Sequence, residues 1–408
     1  MLNGDQLARA AEQVFPVAER LGLSFGHIHF ELVGPKTVQT LAANGGLPVR
    51  YRHWSFGKSR QRLKTAFDFR VTQIYELVIN HVPAYAFVDQ SCSPAQALMI
   101  VAHVAAHADF FRHHRGFSHL PRDMVSRAAR HRRTLDGLRQ RYGETSVETL
   151  LDSAHILADF SGETLGSASL GSRSDDVLGQ VILNAPELAP WERQLLSLVW
   201  EEARYFWPQQ ITRIANEGYA TFFHQTIMRE LDLNPTQQWE AARLNAQIVQ
   251  AIPPQLNPYR LGVLLYRQAV SRNGWDGLFD ARDIFDDVGL VRTFFTEEVW
   301  QQAGLALYRE REAQSTAHTL SFEETKRHLI QDLDRAGMPR LQVESSGARE
   351  LVLRHRYDGR DLDFAELPFA LKALSERIWK GPVSVLTMRQ QVWHRASHNG
   401  RDWSDEAM

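Results

Sequence analysis

Apolar positions fall on one side of the opening stretch MLNGDQLARAAEQVFPVAERLGL: Leu7, Ala10, Ala11 and Val14 recur at helical spacing and predict an amphipathic helix. LSFGHIHFELV (23–33) alternates polar and apolar residues, the signature of a strand. Residues 34–58 are rich in Gly and Pro, interleaved with Arg, His and Trp, and read as an ordered loop. From 60 to 81 a stripe of Phe67, Val71, Ile74 and Val78 predicts a helix, and AYAFV (84–88) a short strand. Pro94 opens a long apolar helix to about 114, as Pro at a first helical turn does.

Residues 121–143 read as a basic amphipathic helix and 145–160 as another. SGETLGSASLGSRSDD (161–176) is a Gly/Ser-rich connection. Helices follow at about 187–206, 208–231, 235–250 and 258–272, with helical character to about 313. The pattern then changes: a helix at 321–336, strands at 340–345 and 348–357, a helix at 364–380 and a strand at 382–388. That αββαβ order suits a small α+β domain. The expected architecture is a mainly α chain: a helical core over 1–317 and an α+β domain over 318–408.

Composition narrows the function classes. A formal net charge of −2 gives no global field to recruit nucleic acid or an anionic membrane. The basic run RAARHRR (127–133) reads as a solvated helix face. A single cysteine, Cys92, excludes a disulfide framework within the chain and fits a reducing compartment. No apolar run of about 18 residues appears, and the N-terminus lacks a signal-peptide pattern, so a cytoplasmic protein without membrane spans is expected.

Histidine is the unusual count, 17 in all, with five in HVAAHADFFRHHRGFSH (103–119). His103 and His107, four apart, share a helix face and could grip one divalent metal, as in H-E-x-x-H zinc helices. Here Val104 stands where that motif carries its general base. In IANEGYATFFH (214–224), Glu217, Thr221 and His224 share a face with Ala220, so the acid points inward. A buried carboxylate must be paired or hold a metal, which leaves a guanidinium or an ion as its partner. Gly218, inside a helix, marks a close approach of two backbones. In RYRHWSFGK, Arg50, Arg52, His53, Trp54 and Lys58 offer donors suited to a carboxylate-bearing substrate.

NEGYA also resembles the third-ligand helix of gluzincin metallopeptidases, which would make His103, His107 and Glu217 a His₂Glu site for Zn²⁺ or another divalent metal. LPVRYRHWSFGKSRQRLKTAFDF, HVAAHADFF, APWERQLLSLVWEEARYFWPQ, NEGYATFFH and LNPYRLG together resemble the SpoVR family, stage V sporulation protein R and its relatives, and ELVLRHRYDGRDLD and GPVSVLT resemble its small C-terminal domain. The resemblance implies a cytoplasmic bacterial protein linked to spore cortex formation or stress physiology, often beside a serine kinase and a von Willebrand-type protein. It also implies His103, His107 and Glu217 as metal ligands, with Asp109 and Asn216 supporting them. The expected function is a metal-dependent peptide or amide hydrolase of zincin-like architecture, acting on a peptidoglycan-type precursor. Glu202 or Glu201 would activate the water, and His224 or Tyr219 would polarise the carbonyl. The competing expectation is a non-catalytic regulatory or scaffold protein on a degenerate peptidase fold, which Val104 favours.

Overall fold

The computed structural model describes residues 1–56, 76–161, 170–251, 256–305, 308–309, 318–347 and 350–408. The chain is mainly helical, with a small sheet at its C-terminus. It divides into two compact units, each discontinuous in sequence.

The first unit comprises Met1–Pro48, Ser55–Asp123 and Gln209–Ala336. Its opening helix, Gly4–Arg20, starts at a capping box in which Asn3 and Gln6 satisfy each other's backbone N–H groups. A three-stranded sheet follows. Ile28–Val33 runs parallel to Ala84–Asp89, and Glu76–Ile79 runs antiparallel on the other side of Ala84–Asp89, with Glu76 opposite Val88. The segment 76–79 was expected to be helical; its Leu77 and Ile79 lie on the side of the pleat that meets Gly46, and pairing with the apolar 84–89 strand decides its conformation over helical spacing. Residues 60–75 of that expected helix lie outside the described residues. The expected loop at 34–58 contains a helix, Pro35–Ala43, begun by Pro35 in the same way that Pro94 begins its own.

Three helices make the core of this unit. Pro94–His113 has a Ser93 capping box with Gln96 and is buried almost all round from Ala95 to Phe111. Arg213–Glu230 packs against it and against Pro258–Ile284, whose first turn is capped by Asn257. The expected close approach of backbones occurs: a methyl group on Gly218 would sit 2.3 Å from Gly262 Cα, so the two glycines let these helices touch. Phe322–Leu333 also belongs here. Its Phe322 ring lies 5.7 Å from Phe295 and 6.1 Å from Trp300, and Lys326 Nζ donates to the Phe295 carbonyl. The first unit thus runs to Ala336, and the second resumes at Gly337.

The second unit comprises Val49–Trp54, Met124–Pro208 and Gly337–Met408. Its sheet has five strands in the order Trp403–Ala407, Val392–His398, Val383–Arg389, Glu350–His355, Leu341–Gly347. Neighbours are antiparallel except Glu350–His355 and Val383–Arg389, which are parallel and joined through the helix Leu367–Ala373. The last two strands escaped the sequence reading because VWHRASH and WSDEA carry few apolar residues; they complete the edge of a sheet whose core is Val383, Val385, Leu351 and Leu353. Helices Met124–Tyr142, Glu144–Ala158 and Val177–Asn184 belong to the same unit, and Ser174 is tied to the first strand by Val343 N–H donating to its carbonyl at 2.7 Å. No helix among the described residues is long and apolar enough to cross a membrane.

Candidate metal centre

Pro94–His113 carries two imidazoles into an apolar interior. His103 is 5% exposed and His107 7%, and their rings meet edge to face with centroids 4.4 Å apart. Burying such groups is costly unless their polar atoms are engaged. Both Nδ1 atoms are. His107 Nδ1 lies 2.8 Å from Asn216 Oδ1, and His103 Nδ1 lies 3.1 Å from His224 Nδ1. An amide oxygen only accepts, so His107 donates through Nδ1 and a neutral ring keeps its lone pair on Nε2.

Arg213–Glu230 brings the acid. Buried Asp287 accepts from Ala215 N–H at 2.8 Å in the first turn of this helix; burial pushes the Asp287 carboxyl up to about 7. The Gly218–Gly262 contact sets the lateral position of the helix one residue from Glu217. Glu217 Oε2 then lies 3.4 Å from His103 Nε2 and 3.5 Å from His107 Nε2. That oxygen is buried and lacks a hydrogen-bond partner. The three ligand atoms lie within 4.8 Å of one another. Ligands about 2.0–2.2 Å from a tetrahedral ion are separated from each other by about 3.3–3.6 Å, so the oxygen-to-nitrogen spacings suit a shared divalent cation. The donor set, two imidazoles and one carboxylate, is of the kind zinc takes.

The local electrostatics separate two acids. Burial would raise Glu217, but the neighbouring His107 and His103 hold it well below the usual carboxylate range. Glu76, on the edge strand Glu76–Ile79, places Oε1 3.9 Å from His103 Nε2. Burial, reinforced by the charge on Glu217, raises its carboxyl above the usual range against the lowering effect of His103. Burial lowers His107 while Glu217 outweighs it, so the ring is raised. Tyr259, with its ring 6.2 Å from that of His103, is raised well above an ordinary phenol by the charge on Glu217 and by burial, and stays protonated. Sequence reasoning missed both Glu76 and Tyr259. Glu76 lies in a run that reads as a helix, and Tyr259 lies in LNPYRLG, which enters only through the family resemblance.

The remaining expected site residues fall in three places. Asn216 is at the centre, on His107. Asp109 is not: its oxygens accept from Ser24 N–H at 2.6 Å, the Tyr219 hydroxyl at 2.6 Å and Arg282 Nη1 at 2.7 Å, and His113 Nδ1 lies 3.2 Å away. Tyr219 is therefore a fully buried core residue with its hydroxyl spent on Asp109, and it has no group to present to a carbonyl. His224 has Nδ1 on His103 and Nε2 3.2 Å from Asn245 Oδ1, and is 1% exposed; burial and then the charge of His103 lower it to about 3. Both of its ring nitrogens are thus engaged within the core, on His103 and Asn245.

Glu201 and Glu202 belong to the second unit. Glu202 Oε2 accepts from Arg50 Nε at 2.7 Å, and its Oε1 lies 3.2 Å from His131 Nδ1. Glu201 Oε2 lies 3.0 Å from His131 Nε2, and its Oε1 accepts from Arg127. Carboxylates so occupied are not water-activating bases. Arg127 and His131 come from the run expected to be a solvated face; His131 is instead buried at 4% exposure. Arg50 is committed to Glu202, Arg52 lies 3.8 Å from Asp136, and His53 and Trp54 both meet Asp152. All are in the second unit, and Lys58 lies outside the described residues.

A family model described as SpoVR like protein matches residues 2–169 and 163–338. Uncharacterized protein YcgB of Escherichia coli (strain K12) is 24% identical over 295 residues, which cover 58% of this chain and 58% of that relative. The chain thus matches well under two thirds of the relative's length. No solved structure matches the chain. The matched spans contain the helices that carry His103, His107 and Glu217, and LNPYRLG, while residues 339–408 lie beyond them. On this match the chain belongs to the SpoVR family.

Proposed function

We propose that the protein is a metal-dependent hydrolase of peptides or amides, built on a zincin-like helical core, with Zn²⁺ or another divalent ion held by His103, His107 and Glu217. One observation carries the reading: two Nε2 atoms and a carboxylate oxygen without a hydrogen-bond partner converge on one point. Three electron-rich atoms pointing at each other repel unless a cation or a proton lies between them. A bound divalent ion would supply an acidified water and a polarised carbonyl.

The chain's own residues supply the rest. Glu76 takes the role that Val104 cannot, accepting a proton from the attacking water, because its carboxylate faces the Nε2 side of His103 from a strand. Tyr259 stays protonated and its hydroxyl donates to Glu217, so it helps hold that carboxylate in place. His107 and His103 are held through Nδ1, so their Nε2 atoms stay aimed at Glu217. Arg50, Arg52, His53 and Trp54 receive no substrate contact in this proposal. A peptidoglycan-type precursor as substrate, the link to spore cortex formation or stress physiology, and the serine kinase and von Willebrand-type partners enter on the family resemblance alone.

The competing reading is a regulatory scaffold that binds metal or nothing. Elemental analysis of protein purified without chelator is expected to find about one divalent ion per chain, lost in His103→Ala. Glu76→Gln is expected to keep the ion and lose hydrolysis of a peptide and amide panel. Wild-type protein that is metal-free and gains no thermal stability on adding zinc would overturn the metal; a metal-loaded wild type inert toward the panel would favour the scaffold.

A further inference from the structure

His103 differs from His107 in what holds it. The partner of His107 is an amide oxygen, which fixes the ring by itself. The partner of His103 is another imidazole, which can donate or accept. The tautomer of His103 is therefore undetermined locally and must be set further out.

The chain of contacts runs outward from His224. His224 Nε2 lies 3.2 Å from Asn245 Oδ1, the same oxygen that accepts from Gln225 Nε2 at 2.7 Å. Gln225 Oε1 in turn accepts from Arg267 Nη2 at 2.6 Å. A guanidinium has no acceptor. Arg267 thus fixes the Gln225 carbonyl toward itself and the amide NH₂ toward Asn245. Asn245 must then present its oxygen, His224 must donate through Nε2 and accept at Nδ1, and His103 must donate through Nδ1. Each link leaves a single choice for the next. The chain crosses three helices, Pro258–Ile284, Arg213–Glu230 and Pro235–Ile248, and begins at an exposed arginine and ends at a buried ligand.

We propose that Arg267, Gln225, Asn245 and His224 are positioning residues forming a directed hydrogen-bond relay, which holds His103 with its proton on Nδ1 and its Nε2 lone pair beside those of His107 and Glu217. Its purpose rests on the metal reading above; its existence does not. Reversal is built into the same geometry. With Gln225→Glu, the side chain has no NH₂, so Asn245 turns its NH₂ toward it and toward His224. His224 then accepts at Nε2 and donates from Nδ1, and His103 carries its proton on Nε2, where it blocks a cation.

The test reads tautomers directly. Metal-free protein labelled with ¹⁵N-histidine, with His103 and His224 assigned by single substitutions, is expected to show His103 protonated on Nδ1 and His224 on Nε2. Both are expected to switch in Gln225→Glu. Asn245→Asp keeps an acceptor and is expected to keep the wild-type pattern; Asn245→Leu is expected to lose it. Zinc affinity, measured with zinc chloride against a competing chelator, is expected to fall about 10–100-fold in Gln225→Glu and Asn245→Leu and to be retained in Asn245→Asp. Wild-type His103 protonated on Nε2, or a Gln225→Glu protein with unchanged tautomers, overturns the relay. If the tautomers behave as described and no variant binds zinc, the relay stands and the metal reading falls. Should Asn245→Leu fail to fold, the wild-type spectrum and Gln225→Glu still decide.

Discussion

Glu217 and Glu202 both face histidines from within helices, yet their surroundings differ in one respect. All four carboxylate oxygens of Glu201 and Glu202 have partners, shared among Arg50, Arg127 and both nitrogens of His131. The cluster sets three cationic groups against two carboxylates: burial would lower His131, but Glu201 and Glu202 raise it to about 9, so it is an imidazolium near neutral pH. Around Glu217 no guanidinium enters within bonding distance among the described residues, the Nδ1 atoms of His107 and His103 engage Asn216 and His224, and one oxygen is left over. The first arrangement is closed by its own charges. The second leaves one buried carboxylate oxygen without a hydrogen-bond partner, so residue types alone do not separate the two arrangements; the partners of each oxygen do.

That contrast can be broken most strongly at the ligands. His107→Ala or Glu217→Ala is expected to remove bound metal altogether, while Glu201→Gln leaves metal content at the wild-type level; elemental analysis of both checks it. Next in size is Glu202→Ala. It removes the carboxylate that Arg50 donates to and one of the two that face His131, and is expected to cost about 3 kcal/mol in denaturant unfolding, with metal content per folded molecule unchanged. A smaller effect sharpens the comparison from the other side. Zinc at about 100 times its dissociation constant is expected to stabilise the wild type by about 2.7 kcal/mol and Glu217→Ala by nothing, as read from thermal midpoints. Smallest is the pH dependence of the closed cluster. His131 has a folded pKa of about 9 against an unfolded value near 6.5. Its contribution is complete below about pH 6.5 and is lost as pH rises through 9. The wild type is expected to lose stability across that window relative to its own value at pH 6, and His131→Gln to lose less of it.

The two clusters were unequally legible in the sequence. His103 and His107 announce themselves by a four-residue spacing, and Gly218 beside Glu217 signalled a backbone contact that exists with Gly262. Glu76 gave no such signal, because four residues of strand beside a helical stripe look helical until the pairing strand is known. Glu201 and Glu202 were visible as acids near the motif in sequence, but their partners Arg50 and His131 lie 152 and 71 positions away. Spacing along one helix reports a shared face; it carries nothing about which distant cation will occupy that face. The same limit hid the last two strands, which owe their conformation to neighbours and not to their own alternation.

The contact between Gly218 and Gly262 has a mechanical corollary. The fulcrum of the helix pair and the donor carboxylate are adjacent residues, so the lever arm between them is a single step of the backbone, about 3.8 Å. Rocking of one rod on the other barely displaces Glu217, whereas it swings residues several turns away through a wide arc. Precision is concentrated where an ion would feel it, and slack is exported to the ends.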